Sequence, residues 1–114
     1  MSDHSNFKTV ADNSDVTMRV SGDLQHRCPH VDEVDHGHVT ITWRVRGETY
    51  ELHSLAEYLR SFKDSRLSHE QITDRIRYDL SWAPQIELMS VETFWVTAGM
   101  EVTCSTSPTP VGQP

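Results

Sequence analysis

The densest group of reactive side chains in this sequence lies at residues 26–38 and brings one thiol, four imidazoles and several carboxylates into thirteen positions. A cysteine beside carboxylates can act as a covalent nucleophile toward a nitrile or acyl carbon, with a carboxyl group as acid or base. A free thiol has a pKa of about 8.5 and is only slightly ionised near neutrality, so Cys28 would need help from Arg27 and the nearby histidines. The pattern therefore makes Cys28 a candidate nucleophile.

Two other interpretations of this segment remain open at this level. Cys, His and Asp are common zinc ligands, but the segment contains no CxxC pair, and such spacings give zinc motifs their specificity. In the plainest interpretation, Cys28 is a small buried residue and the histidines are solvated loop residues. We expect no resident metal.

A second candidate pair, His69-Glu70, stands at the start of a predicted helix. A glutamate in the first helical turn is usually explained by its favourable interaction with the helix dipole. The functional alternative is a carboxylate that accepts hydrogen bonds from adjacent N–H groups of a base.

Alternation of apolar and polar residues predicts two antiparallel strands early in the chain and two late in it. The four segments are 16–20, 39–45, 85–95 and 96–104. The last two are joined near Ala98-Gly99, a pair suited to a tight turn. The first two flank the reactive segment, which we therefore place in their connection.

Between these strand pairs the apolar residues recur at helical spacing. One helix is predicted over 54–65, and a second begins at Ser68, forms a capping box with Gln71 and ends at Pro84. The order ββααββ predicts an α+β domain, a four-stranded antiparallel sheet with two helices on one face. Its exposed sheet edges favour pairing between subunits, so we expect an oligomer.

Length and composition indicate one domain. The 114 residues leave no room for a second independent core, and we place the domain at 15–105 between flexible tails at 1–14 and 106–114. No window has the roughly 18 to 20 apolar residues of a membrane span, so we expect a cytoplasmic protein without a membrane partner. The net charge of −7 disfavours a phosphate backbone and favours a small neutral ligand.

Together these fragments resemble the NADPH-dependent 7-cyano-7-deazaguanine reductases of queuosine biosynthesis, the QueF-type members of the tunnelling-fold (T-fold) superfamily. The resemblance covers residues 16–104 and is carried by fragments that stand in the family's order and spacing. They are Cys28-Pro29, Asp35 seven positions after the cysteine, Glu51-Leu52-His53-Ser54-Leu55, Tyr58-Leu59-Arg60-Ser61-Phe62 and His69-Glu70.

The resemblance implies a role for each matching residue. Cys28 would add to the nitrile carbon to form a thioimide, Asp35 would protonate the nitrile nitrogen, and His69 would take part in proton transfer. Glu70 would hold the pyrimidine edge of the base. The resemblance also places Glu51 and Ser54 at the substrate, His53 and Ser54 at the cofactor NADPH, and the active sites at subunit interfaces of a homo-oligomeric barrel.

The sequence departs from the family pattern at the cofactor positions. Two lysines that help to hold the nicotinamide cofactor's phosphates are replaced by His53 and Ala56, and the family's Arg-Gly-Gly is replaced by Val96-Thr97-Ala98-Gly99. These losses and the short chain favour the related QueF-like amidinotransferase, which lets ammonia attack the thioimide in tRNA without NADPH.

The run from Tyr58 to Phe62, with Glu51 and Ser54, looks more like the reductase, and the acidic charge fits a free base better than tRNA. We therefore expect a reductase first. The amidinotransferase is the alternative, and a non-catalytic base-binding module is the remaining one.

Overall fold

A computed structural model describes residues 7–106, which form an α+β fold. Its elements are β1 (Thr9–Asp12), β2 (Thr17–Arg27), β3 (Val34–Val45), β4 (Gly47–Tyr50), α1 (Leu52–Arg60), α2 (His69–Leu80), β5 (Ile86–Thr97) and β6 (Met100–Ser105). The main sheet is antiparallel with strand order β2-β3-β5-β6, and β1 pairs with β4 in a small second sheet. The predicted four-stranded antiparallel sheet is confirmed, and the β1–β4 pair is an addition to it. Neither helix among these residues is long and apolar enough to cross a membrane.

Strands β2 and β3 extend further into the reactive segment than the alternating residues predicted. Their ladder runs without interruption from the pair Thr17 and Arg44 to the pair Arg27 and Val34. Backbone hydrogen bonds hold a ladder together whatever the polarity of the side chains, so the polar strand ends escaped the sequence pattern. Only residues 28–33 remain as the connection between the two strands.

The start of α2 agrees with its predicted capping box. The Ser68 hydroxyl accepts from the N–H of Gln71 at 3.1 Å, and the Gln71 side chain accepts from the N–H of Ser68 at 2.9 Å. Helix α1 begins earlier than predicted because Glu51 caps it, and it ends at Arg60 rather than residue 65. Turns with hydrogen bonds between residues three apart follow the helix, and Phe62 is buried within them. The helical spacing of apolar residues in the sequence therefore continues past the end of α1.

The two helices pack on one face of the main sheet, α1 on β2 and α2 on β5 and β6. The core between them is mainly apolar, and each of its buried aliphatic or aromatic side chains contributes about 1.5 to 3 kcal/mol. Its most deeply buried members are Val39, Ile41, Trp43, Ile72, Ile76, Leu80, Val91 and Trp95. The Tyr58 hydroxyl donates to Asp79 at 2.6 Å and ties α1 to α2.

Part of the predicted N-terminal tail is structured. Residues Thr9–Asp12 form β1, the Lys8 N–H donates to the Ser54 hydroxyl at 2.7 Å, and Phe7 packs edge-on against Tyr50 and Tyr58. A four-residue strand has too little alternation to be recognised without its partner β4. At the other end, Thr106 exchanges hydrogen bonds with Val91. The rest of the two predicted tails, 1–6 and 107–114, lies outside the described residues.

Candidate active site

Asp35 joins two histidines that come from different elements. Its Oδ2 lies 2.7 Å from Nε2 of His69 and 3.3 Å from Nε2 of His26. Asp35 is the second residue of β3, His26 lies directly opposite it in β2, and His69 is the first residue of α2. The side chains of His26, Asp35 and His69 are only 1%, 13% and 17% exposed, so protons held among them are largely shielded from water.

The indole of Trp95 packs against both imidazoles, with ring centroids 4.7 Å from His26 and 4.6 Å from His69. A relay of hydrogen bonds fixes the indole. The indole Nε1–H donates to the Thr93 hydroxyl at 3.0 Å. The Thr93 hydroxyl lies 2.6 Å from the Thr73 hydroxyl. The Thr73 hydroxyl in turn donates to the backbone carbonyl of His69 at 2.8 Å. Every polar group in this buried relay has a partner. The relay therefore fixes the Trp95 indole, against which both imidazoles pack.

Cys28 follows the last residue of β2 and stands two residues after His26. Its N–H donates to the carbonyl of Glu33 at 3.0 Å, which carries the β2–β3 pairing one step beyond Arg27. Alternate residues of a strand share a face, so this step puts Cys28 on the face of His26, about 7 Å further along. Its thiol is half-buried and free, as is that of Cys104.

Glu70 is exposed in the first turn of α2 and borders a cleft between α2 and β6. The cleft has a volume of about 610 Å³, within the range of small-molecule pockets. Its lining residues are Glu70, Thr73, Asp74, Arg77 and residues 102–106. Cys28, Asp35 and His69 are not among them, so this cleft is not lined by the predicted nucleophile or acid.

Glu51, His53 and Ser54 are all engaged in starting α1. The Glu51 carboxylate accepts from the N–H groups of His53 at 2.9 Å and Ser54 at 2.8 Å, and it contacts Nδ1 of His53 at 3.0 Å. The backbone N–H of His53, then that of Ser54, then the His53 ring lower the pKa of Glu51 to about 2. Ser54 binds Lys8 as described above. The predicted substrate and cofactor roles of these three residues stay predictions.

These residues also lie at the opposite end of the helix layer from His69. Helix α1 is nine residues long, about 13 Å, and its far end leads through residues 61–68 to the start of α2. The Tyr50 hydroxyl, next to the start of α1, instead binds the carbonyl of Leu80 at the end of α2, at 2.7 Å. Within one chain, residues 51–54 therefore do not reach the cluster of His26, Asp35 and His69.

The ligand-type atoms of His26, Asp35 and His69 lie within 4.8 Å of one another, a spacing that also suits a bound cation. Two ligands of a tetrahedral zinc stand roughly 3.3 Å apart, since each is about 2.0 to 2.1 Å from the metal. The 2.7 Å between His69 and Asp35 is instead the length of a charge-assisted hydrogen bond. His30, four positions after His26, is exposed in the loop. We interpret the cluster as hydrogen-bonded, and the absence of a metal remains a prediction.

Sequence reasoning named Cys28, Asp35 and His69 as candidate site residues, and the structure brings Asp35 and His69 together. It did not single out His26 or Trp95. The position of His26 in the predicted strand could have indicated its place in the site. If β2 and β3 continue symmetrically to the loop at 28–33, His26 falls opposite Asp35, and the alternation after Leu24 turns its side chain inward. Trp95 and the two threonines belong to distant elements and gave no local signal.

The antiparallel sheet with both helices on one face, and an Asp–His pair at the hairpin end of β2 and β3, define an α+β protein of the T-fold class. The crystal structure of the archaeosine synthase QueF-Like in the apo form superposes with a TM-score of 0.72 at 18% identity, covering 82% of this chain and 94% of that one. At this identity the likeness establishes the fold.

A family model described as QueF-like protein matches residues 34–108, and the chain belongs to this family. The NADPH-dependent 7-cyano-7-deazaguanine reductase of Chlorobaculum parvum is 32% identical over 94 residues, 82% of this chain and 81% of that protein. The enzymes of the same name from Rhodopirellula baltica and Prochlorococcus marinus (strain AS9601) are 32% identical over 72 residues and 37% identical over 54. Those matches cover 63% and 47% of this chain, and they span 60% and 40% of the two relatives' own lengths.

Proposed function

We propose that this protein attacks the nitrile carbon of 7-cyano-7-deazaguanine with the sulfur of Cys28 and forms a covalent thioimide. The observation that supports this most directly is the Asp35–His69 pair, held at 2.7 Å beside the strand end that carries Cys28. A nitrile needs a nucleophile at carbon and a proton at nitrogen in the same step. The site supplies a half-buried free thiol directly after β2 and a shielded carboxyl group at the start of β3.

The proton balance of the addition is closed within the site. The sulfur–carbon bond forms, one bond of the nitrile triple bond breaks, and the nitrogen takes a proton from Asp35, whose Oδ1 has no partner among the described residues. Once Asp35 has given its proton, Nε2–H of His69 faces the carboxylate and Nδ1 of His69 can accept the thiol proton. The Nε2 proton then passes to Asp35 and restores its acid form. The net change moves one proton from sulfur to nitrogen.

Recognition of the base falls to Glu70 in this proposal. A carboxylate can accept hydrogen bonds from two adjacent N–H groups of a pyrimidine edge, and Glu70 is exposed next to His69 in the first turn of α2. Glu51 and Ser54, as predicted substrate contacts, lie at the other end of the helix layer. They reach the same base only if a neighbouring copy presents them, so we propose a homo-oligomer with sites between subunits.

The residues at the expected cofactor position do not fit the phosphates of NADPH. His53 is 99% exposed and contacts the carboxylate of Glu51, whose pKa is lowered to about 2. An ionised carboxylate beside His53 repels phosphate, and Ala56 adds no charge. We therefore derive no step through the cofactor.

Two fates of the thioimide remain as candidates. Reduction to the aminomethyl base stands first, because relatives at 32–37% identity are named NADPH-dependent reductases. Conversion to an amidine by ammonia, in a nitrile-bearing tRNA, stands second. It is favoured by the poor phosphate fit at His53 and Ala56.

The test is product analysis with purified protein and three substrate sets: the free base with NADPH, the free base with ammonium, and nitrile-bearing tRNA with ammonium. Consumption of NADPH with an aminomethyl product selects the reductase, and amidine in tRNA selects the transferase. Cys28→Ala must abolish turnover and Cys104→Ala must retain it. Tight binding of the base by both variants and wild type, without turnover by any, would identify a base-binding module instead.

A further inference from the structure

His26 is the most buried titratable group of the site, 1% exposed, and the addition proposed above does not use it. Its two ring nitrogens have different partners. Nδ1 lies 2.7 Å from the carbonyl oxygen of Leu67, and Nε2 lies 3.3 Å from Oδ2 of Asp35. A carbonyl oxygen can only accept, so Nδ1 must carry a hydrogen.

This assignment decides what His26 can do toward Asp35. If His26 were neutral, Nε2 would be a bare lone pair facing the oxygen of Asp35. An ionised Asp35 would then place two acceptors 3.3 Å apart in a site shielded from water, which is repulsive. One proton between them removes the conflict, as Nε2–H on His26 or as O–H on Asp35.

The surroundings favour His26 over His69 as the second holder of this proton. His69 is the first residue of α2, where the positive end of the helix dipole disfavours a cationic ring. His26 lies in β2, away from any helix terminus, and carries no such penalty, while the Trp95 indole contacts both rings at similar distances, 4.7 Å and 4.6 Å, and does not distinguish them.

We propose that His26 is a positioning residue that shares one proton with Asp35, so that this carboxyl group is supplied with the proton it donates. The proton count stands on the geometry alone, whereas its use in catalysis rests on the proposed function. When Asp35 gives its proton to the nitrile nitrogen, His26 Nε2 and the carboxylate face each other unprotonated. That repulsion is relieved when the thiol proton returns to the pair through His69, and the site is restored.

The groups that face His26 are few. Asp35 meets it from β3 and His69 from α2, and both titrate. Trp95 from β5 and the Leu67 carbonyl from the connection before α2 are uncharged. A change in the charge of His26 with pH therefore reports on this network.

Nitrogen-15 NMR of the imidazoles, with carbon-13 NMR of the Asp35 carboxyl, tests the proton count without substrate. Near neutral pH we expect Nδ1 of His26 to be protonated and the His26–Asp35 pair to hold one further proton. In Asp35→Asn, which removes the carboxylate that faces Nε2, His26 should carry a hydrogen on Nδ1 alone. A neutral His26 beside an ionised Asp35, a bare Nδ1, or one metal ion per chain by elemental analysis would overturn the inference.

The rate of covalent adduct formation with 7-cyano-7-deazaguanine, followed across pH, tests the catalytic use. His26→Gln offers Asp35 an amide N–H that cannot release a proton, so we expect adduct formation to slow by about 10²-fold or more and its alkaline limb to move to lower pH. His36→Gln, an exposed histidine next to Asp35 on β3, is the matched control and should keep the wild-type profile.

The two failures are distinguishable. A wild-type protein that forms no adduct but shows the shared proton by NMR contradicts the proposed function and supports the proton count. Equal rates and pH profiles for wild type and His26→Gln contradict the inference and leave the proposed function standing.

Discussion

Nε2 of His69 lies 2.7 Å from Oδ2 of Asp35, although 34 positions separate the two residues in the chain. The contact exists because Ser68 starts α2 directly above the end of the β2–β3 hairpin. A hydrogen bond of this length between an imidazole and a carboxylate is charge-assisted and sets the orientation of both groups. The candidate acid is therefore held from above by a helix terminus and from the side by His26.

The close packing of β3 against Phe94 and Trp95 of β5 requires a glycine at position 37. A Cβ at Gly37 would lie 2.4 Å from the Phe94 carbonyl oxygen and 2.6 Å from the Trp95 ring. We expect Gly37→Ala to lower the free energy of unfolding by about 1 to 3 kcal/mol, measured by urea denaturation. At Gly22, on the neighbouring strand, the nearest atom to a new Cβ is 4.0 Å away, so Gly22→Ala should cause no loss. Equal effects of the two substitutions would contradict this packing.

The Thr93 hydroxyl links the indole of Trp95 to Thr73. Thr93→Val leaves the indole N–H and the Thr73 hydroxyl without this partner, in a region where Thr93 is 1% exposed. We expect a loss of about 1 to 3 kcal/mol in the free energy of unfolding. Thr93→Ser keeps the hydroxyl and should lose only on the order of 0.8 kcal/mol for the methyl group. If the serine variant is as unstable as the valine variant, the hydroxyl relay does not stabilise the site.

Glu51 gives the protein a pH-dependent stability. Its pKa falls from 4.5 to about 2 on folding, chiefly because the N–H of His53 binds the carboxylate, so its contribution is present above 4.5. We expect Glu51→Ala to lower the melting temperature at pH 7, and the difference from wild type to shrink as pH falls from about 4.5 toward 2. Glu51→Asp retains a capping carboxylate and should follow wild type. A difference that stays constant with pH would rule out the cap as its source.

Glu70 should affect the binding of the base far more than stability. Glu70→Gln removes the charge that strengthens two hydrogen bonds, so we expect binding of 7-cyano-7-deazaguanine to weaken by about 10- to 150-fold, measured by calorimetry. Glu57→Gln, an exposed glutamate on α1, is the control and should bind as wild type does. If Glu70→Gln lowers only the melting temperature, Glu70 serves the helix dipole and not the base.

The features predicted from sequence were those encoded locally. Ser68 and Gln71 form a capping box within four residues, and Ala98 and Gly99 form a tight turn with φ of 52° and 76°. Each depends on neighbours in the chain, so residue type and spacing were sufficient.

The features that escaped prediction depend on distant partners. Strand β1 exists through its pairing with β4, and His26 acquires its environment from Leu67 and Trp95. A histidine flanked by polar residues carries no sign of burial until the register of β2 against β3 is known. Residue type and position raised the roles of Cys28 and Glu70, the family resemblance supplied their substrate, and they stay predictions.

Intact mass spectrometry of the purified protein with 7-cyano-7-deazaguanine, without NADPH or ammonia, tests the central proposal most directly. The proposal predicts one added base per chain on wild type and Cys104→Ala, and none on Cys28→Ala. Because Asp35 is the proposed proton donor to the nitrile nitrogen, Asp35→Asn should form the same adduct about 10²- to 10⁴-fold more slowly. A wild-type protein that stays unmodified, or an adduct that persists in Cys28→Ala, would contradict the proposal.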